Sequence, residues 1–65
     1  MKITYDSEVD ILSIRLNDSK VLESDEIQSG IILDYNRSGK VVGIEILNAS
    51  KSVENPHGVE YAVSA

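Results

Sequence analysis

Two short runs rich in β-branched residues, separated by four turn-forming residues, constrain this fold more than any other feature. Residues 31–35 and 40–47 carry Ile, Val and Leu at most positions, and the loop between them reads Asn36-Arg37-Ser38-Gly39. Asn at the start of a short loop and Gly at its end predict a type I turn followed by a left-handed glycine and a bulge. The two runs are therefore predicted to form a β-hairpin.

Both faces of this hairpin are apolar, because alternate residues of a strand point to opposite sides. One face is predicted to carry Ile31, Leu33, Tyr35, Val42, Ile44 and Ile46. The other is predicted to carry Ile32, Val41 and Leu47. A single small sheet can pack on itself from one side only, so something must cover the second side. The candidates are the C-terminal tail, a curled sheet or another copy of the chain.

The remaining strands follow from the alternation of apolar and polar residues. Residues 2–6 and 11–16 alternate in this way, and the polar connection between them predicts a second hairpin. Residues 21–28 mix apolar and charged side chains, which favours an edge strand whose charges discourage foreign pairing; a short helix is the alternative. The predicted fold is mainly β, with a small α+β fold as the variant. It is a single antiparallel meander of four to five strands with a short helical turn and a C-terminal tail or strand.

The length of 65 residues allows one domain, residues 1–65, with a β core over 1–51 and a tail over 52–65. In the tail we predict a helical turn near residues 48–52 and a turn at residues 55–58. Residues 59–63 alternate between larger apolar side chains and Glu or Ala. Three interpretations stay open for them: a last strand, a segment that docks on a partner, or a disordered end. A core of this size rarely supplies more than about 3–5 kcal/mol.

Additional burial must therefore come from elsewhere. Cysteine is absent, which excludes disulfides and thiolate metal sites, and the single histidine, His57, argues against a zinc site. Oligomerisation is the simplest remaining source, and we predict a homodimer. Its predicted interface residues are Ile32, Val41, Leu47, Val59, Tyr61 and Val63.

The net charge of −5 bears on possible partners. Nucleic acids and anionic membranes need a stretch of Lys and Arg, so we predict neither as a partner, whereas a basic protein partner is compatible with the charge. No apolar run approaches the ~20 residues that span a bilayer, and the first residues lack the apolar segment of a secretory signal. A cytoplasmic location is the resulting expectation.

Three acidic residues in the first loop are the only metal candidates. Asp6, Glu8 and Asp10 alternate with other residues, as the first ligands of a calcium loop do. However, Ile11 stands where that loop needs Gly, and Asn17 where it needs a bidentate Glu. We interpret the three as turn residues and keep weak Ca²⁺ or Mg²⁺ binding as the alternative. No cofactor is predicted.

The other reactive side chains do not form a recognisable catalytic set. Asp34 and Glu45 flank the Asn36–Gly39 loop and are expected to share a face without standing opposite each other, with Glu45 paired to Arg15 or Lys40 or facing solvent. Acid–base catalysis needs two carboxyls with separated pKa values inside a cleft, and this chain has little volume for one. We predict that the protein is not an enzyme. Gly43 predicts a bulge or close packing under Tyr5 or Tyr35.

Residues 1–51 resemble the bacterial and archaeal family called Domain of Unknown Function 2283. The most specific part is the run over residues 30–35, the Gly-bearing turn, and the run over residues 42–50. The resemblance implies a small, mainly β, prokaryotic cytoplasmic domain, and it brings no established activity, cofactor or catalytic residue. The tail from Ser52 onward lies outside it.

The predicted function is a homo-oligomeric protein-interaction module without catalysis. Two alternatives stay open. In size and charge such proteins resemble the antitoxin halves of toxin–antitoxin pairs, which suggests an acidic partner of a basic ribonuclease-type toxin. The second alternative is a domain that binds a metal or small ligand weakly.

Overall fold

The chain forms a five-stranded antiparallel sheet in a computed structural model that describes residues 1–65. The elements are β1 (Lys2–Asp6), β2 (Ile11–Arg15), β3 (Glu23–Gln28), β4 (Ile31–Tyr35), β5 (Val41–Leu47) and a 3₁₀ turn (Ala49–Lys51). The predicted mainly β fold and its short helical turn are confirmed. No helix of the structure is long and apolar enough to cross a lipid bilayer.

The strands lie in the order β1-β2-β5-β4-β3, so only β3, β4 and β5 follow one another as a meander. In a meander of all five strands, β3 would lie beside β2, but β5 takes that place. The composition of the strands explains the order. Every residue of β3 is exposed, whereas β5 contains the buried residues Val42 and Gly43. The apolar strand occupies the centre of the sheet and the charged strand its edge.

Strand β3 confirms the predicted edge strand over residues 21–28, and the helical alternative is wrong. It pairs with β4 alone, and a bulge interrupts the pairing between Glu26 and Gln28. The Glu26 carboxylate accepts a hydrogen bond from the Gly30 amide at 3.0 Å, which closes the turn into β4. Gly30 has a φ of 82°, a left-handed conformation that glycine adopts without a steric penalty.

The loop at residues 36–39 has the predicted geometry. The Gly39 amide donates to the Asn36 carbonyl at 3.0 Å, and Gly39 has a φ of 78°. The side-chain oxygen of Asn36 accepts hydrogen bonds from the amides of Ser38 and Lys40, both at 3.0 Å. Local sequence therefore determines this turn.

A bulge in β5 follows this loop and changes which way one residue points. The pairing steps from Asp34–Gly43 to Tyr35–Val41, so Val42 is the additional residue. Directly paired residues share a face, and Val41 therefore lies on the side of Tyr35. The predicted grouping of Val41 with Ile32 and Leu47 is wrong for this reason.

The pairing gives the sheet two chemically different faces. The apolar face carries Ile3, Tyr5, Leu12, Ile14, Ile31, Leu33, Ile44 and Ile46. The polar face carries Thr4, Ser13, Arg15, Ser24, Glu26, Asp34, Gly43 and Glu45, together with Ile11, Ile32 and Leu47. Only five of the 65 residues are buried, because no second layer covers either face completely.

The tail docks at one end of the sheet. The Ala49 amide donates to the Asp10 carbonyl at 2.9 Å, and the Gly58 amide donates to the Asn55 carbonyl at 3.2 Å, which confirms the predicted turn at residues 55–58. His57 packs edge-on against Tyr5, with ring centroids 5.0 Å apart. The sequence predicted either a tail or a last strand at the C-terminus. Residues 59–65 form no strand, so this segment is a tail.

Candidate functional site

The first loop uses its acidic residues to hold the chain together. Asp10 has a φ of 58°, and its carboxylate accepts hydrogen bonds from the Tyr5 hydroxyl at 2.7 Å, the Ser50 amide at 2.9 Å and the Ser50 hydroxyl at 2.6 Å. The Asp6 carboxylate accepts a bond from the Glu8 amide at 3.0 Å. Asp10 therefore ties the β1–β2 loop to the start of the tail.

These bonds set the acidity of the groups involved. Hydrogen bonds from Ser50 and Tyr5 lower the pKa of Asp10, because they stabilise its charged form. The hydrogen bond from the Tyr5 hydroxyl to Asp10 raises the pKa of Tyr5, and partial desolvation raises it by a smaller amount. The structure contains no group of three His, Cys, Asp or Glu side chains that could hold a metal ion. Asp6, Glu8 and Asp10 are close in sequence without forming a coordination shell.

A pair of carboxyl groups lies on the polar face. Glu45 stands opposite Ile32 and Asp34 opposite Gly43, so the two acids are diagonal neighbours on one side of the sheet, as expected from the sequence. Asp34 is only 7% exposed, and its carboxylate accepts a hydrogen bond from the Ser24 hydroxyl at 2.6 Å. This is the one buried ionisable side chain of the protein.

Gly43 makes room for Asp34. A Cβ atom at Gly43 would lie 2.9 Å from Oδ2 of Asp34 and 3.4 Å from its Cβ. The predicted close packing at Gly43 is present, but the group above it is the Asp34 carboxylate and neither Tyr5 nor Tyr35. The sequence offered no signal for this, because the contact depends on the register between β4 and β5.

The two carboxyls affect each other directly. Burial raises the pKa of Glu45, and a side-chain hydrogen bond with Asp34 and the charge of Asp34 raise it further. Glu45 was expected to pair with Arg15 or Lys40 or to face solvent, and it is half-buried beside Asp34 on the polar face. The Arg15 guanidinium donates to the Ser19 carbonyl at 2.7 Å.

The apolar face is the second candidate site, and its residues form two rows across four strands. One row reads Ile3, Ile14, Ile44 and Leu33 and ends at Asp25 of β3; the other reads Tyr5, Leu12, Ile46 and Ile31 and ends at Gln28. Strands lie about 4.8 Å apart, so the rows are roughly 14 Å long. No strand or helix covers them, and only the tail near Pro56–Val59 touches the β1–β2 end.

The six residues predicted for the interface do not form one surface. Ile32 and Leu47 lie on the polar face, and Val41 lies beside Tyr35 at the bulge. Val59, Tyr61 and Val63 are exposed in the tail. The alternation of β1 and β2 indicated an apolar face in the sequence. Only the pairing of β2 with β5 makes that face continuous across the sheet.

Comparisons with known proteins give the chain a family and name no activity for it. A family model described as "Protein of unknown function (DUF2283)" matches residues 2–50. An uncharacterized protein of Methanocaldococcus jannaschii is 43% identical over 51 residues, which are 78% of this chain and 43% of that relative. The chain thus spans less than half the length of this curated relative. No solved structure matches the chain. The resemblance stated for residues 1–51 is confirmed.

Proposed function

Because the chain belongs to the DUF2283 family, whose description assigns no activity, we propose its function from the geometry. Two copies associate through their apolar faces, and the protein is a homodimeric interaction module that catalyses no reaction. The observation that carries the proposal is the two rows of apolar side chains, which no strand or helix covers and of which only Leu12 is buried.

The surface area of the chain supports a second copy as the occupant. A folded monomer of 7.1 kDa is expected to expose about 4,100 Å². This chain exposes 5124 Å², an excess of roughly 1,000 Å². A standard interface buries about 800 Å² on each partner. The apolar face and the extended tail together therefore supply the area that a stable dimer needs.

The distribution of charge also favours association of like copies. The two rows contain no ionisable side chain except Tyr5, and the charged residues next to them are Asp25 at the β3 border and Asp10, which accepts a hydrogen bond from the Tyr5 hydroxyl. The net charge of −5 is therefore carried outside the rows themselves. Repulsion between two acidic copies is screened beyond about 8 Å at physiological salt. Stacking of two sheets face to face gives a sandwich with its core between the copies.

The test compares two adjacent residues of β4 that point to opposite faces. Leu33→Lys places a charge in the centre of the apolar face, and Ile32→Lys places the same charge on the polar face between Glu26 and Glu45. Size exclusion with light scattering, over a dilution series, measures the dissociation constant of each variant. We expect a dimer for the unmodified chain and for Ile32→Lys, and a dissociation constant at least about tenfold higher for Leu33→Lys.

Two results would contradict the proposal. An unmodified chain that stays monomeric at low micromolar concentration refutes the homodimer. Dissociation by Ile32→Lys with no effect of Leu33→Lys moves the interface to the polar face, where Ile32 and Leu47 of the sequence-based set lie. Circular dichroism of each variant separates loss of association from loss of folding.

A basic protein partner is the second candidate function, favoured by the acidic edge of the sheet. Glu23, Asp25 and Glu26 follow one another along β3, and every residue of that strand is exposed. Opposite charge on a partner speeds association by steering. A neighbouring gene with a small basic product is the cheap observation that supports an antitoxin-like role. The decisive measurement is binding of that product to the chain, and its loss when Glu23 and Glu26 are replaced by Gln.

A further inference from the structure

The end of the tail carries an apolar stripe that its own domain does not bury. Val59, Tyr61 and Val63 alternate with Glu60 and Ala62. Their exposed fractions rise along the chain, from 58% for Val59 to 74% for Tyr61 and 82% for Val63. Alternation of this kind places three apolar side chains on one side of an extended segment. The segment has the pattern of a chain that packs on a surface.

The tail leaves the domain at the border of the apolar face. Pro56, His57 and Val59 lie over Ile3, Tyr5 and Leu12 and enclose with them a groove of about 240 Å³. The backbone hydrogen bonds of the tail end with the Gly58 amide, which donates to Asn55. The tail is therefore anchored next to the apolar rows as far as Val59, and the side chains of Tyr61 and Val63 beyond it are exposed.

We propose that Val59, Tyr61 and Val63 of each copy pack onto the apolar face of the other copy, so that the dimer exchanges its tails. This inference rests on the homodimer proposed above. It adds a specific second contact, in which each subunit completes the hydrophobic layer of its partner. The partner copy contributes residues without which the rows remain open over β5 and β4.

The sequence and the length of the tail both favour the apolar face of the partner copy over the apolar face of the same chain. Residues 59–63 contain none of the turn-forming residues Gly, Pro, Asn, Asp and Ser. A segment of this composition is expected to continue without a reversal, which suits a path to a facing copy. Seven extended residues span up to about 25 Å. That exceeds both the roughly 14 Å length of a row and the roughly 10 Å between packed sheets.

The first test removes the apolar stripe and leaves the rest of the chain intact. The triple variant Val59→Ser, Tyr61→Ser, Val63→Ser is compared with Glu60→Gln, Ala62→Ser, which changes the interleaved positions. In the dilution series we expect the triple variant to raise the dissociation constant at least about tenfold and the control to leave it within about twofold. A triple variant that dimerises as tightly as the unmodified chain overturns the exchange.

The second test shows which copy the tail contacts. A photoreactive phenylalanine analogue replaces Tyr61 in normal and in isotopically heavy chains, and the two are unfolded and refolded together. Peptides cross-linked from position 61 to β2, β4 or β5 are then read by mass spectrometry. Exchange predicts that about half of them join a heavy to a light peptide, since random pairing makes half of the dimers mixed. Cross-links confined to one isotope contradict it.

The two proposals fail in different ways. A dimer whose cross-links stay within one chain refutes the exchange and leaves the homodimer intact. An unmodified chain that is monomeric in the dilution series refutes both. Because the chain contains no cysteine, no disulfide can imitate either dimer or cross-link.

Discussion

Replacement of Gly43 by alanine tests the packing of the polar face directly. A strand glycine is ordinarily a weak point, and alanine in its place stabilises a strand by roughly 0.5–1 kcal/mol. At this position the added Cβ would lie 2.9 Å from Oδ2 of Asp34, closer than carbon and oxygen atoms pack. The Asp34 side chain must therefore move. We expect Gly43→Ala to destabilise the protein, opposite to the usual sign.

The magnitude follows from what Asp34 loses when it moves. Its carboxylate accepts a 2.6 Å hydrogen bond from Ser24, and it is 7% exposed, so water does not fully replace that partner. A hydrogen bond to a charged group contributes about 1.5–3 kcal/mol. After the gain from alanine is subtracted, a net loss of about 1–2 kcal/mol remains. For a domain of this size that lowers the thermal midpoint by roughly 4–8 °C per kcal/mol.

Urea unfolding at one fixed protein concentration measures this loss, because the dimer proposed above would make stability depend on concentration. Asp34→Ala provides the matched background. With the carboxylate removed, the nearest remaining atom is the residue 34 Cβ at 3.4 Å, and Gly43→Ala is expected to be neutral or stabilising there. A double-mutant cycle then gives a coupling of about 2 kcal/mol. Equal effects of Gly43→Ala in both backgrounds would refute the reasoning.

Three further perturbations test other parts of the structure. No atom lies within 4 Å of a Cβ added at Gly39, so only its left-handed φ of 78° opposes a side chain there. Gly39→Ala is therefore expected to lower the free energy of unfolding in urea by about 1–2 kcal/mol, and Gly39→Asn by less, because Asn adopts this conformation more readily. The pKa of Glu45 is raised in the folded state. Its contribution to the free energy of unfolding is therefore fully present below the ordinary pKa near 4.5 and is lost as pH rises through the raised pKa. Glu45→Gln is expected to remove this loss of stability from the pH profile of unfolding. The pKa of Asp10 is lowered, so its contribution is present above the ordinary value near 3.8 and is lost on further acidification. Asp10→Asn, which tolerates a φ of 58°, is expected to remove this acid limb and to lower the thermal midpoint less than Asp10→Ala.

The local structure could be predicted because short-range chemistry determines it. The alternation of residues 2–6 and 11–16 sets the first hairpin, and the residues at 36–39 set the second. The charges of β3 also identified the edge of the sheet without knowledge of its neighbours. Each of these predictions depends on residues within a few positions of one another.

The features that sequence reasoning missed depend on contacts between distant segments. Pairing of β2 with β5, about thirty residues apart, sets the strand order and joins the two hairpins into one sheet. A single additional residue at Val42 changes the direction of Val41. The Asp34–Glu45 pair results from the same register, and no local pattern distinguishes it from two exposed carboxylates. A tail segment with the alternation of a strand forms none.

The central position of β5 links the candidate sites on the two sides of the sheet. Gly43 and Glu45 of this strand build the carboxyl pair on the polar face, while Ile44 and Ile46 lie in the middle of the apolar rows. Neighbouring residues of one strand therefore lie beside the buried Asp34 on one side of the sheet and within a half-buried hydrophobic surface on the other. An internal polar pair adds little hydrophobic burial, and only five residues of the chain are buried. We propose that further burial comes from the opposite face, and we therefore place the functional surface on Ile14, Leu33 and Ile44 rather than on the carboxyl pair.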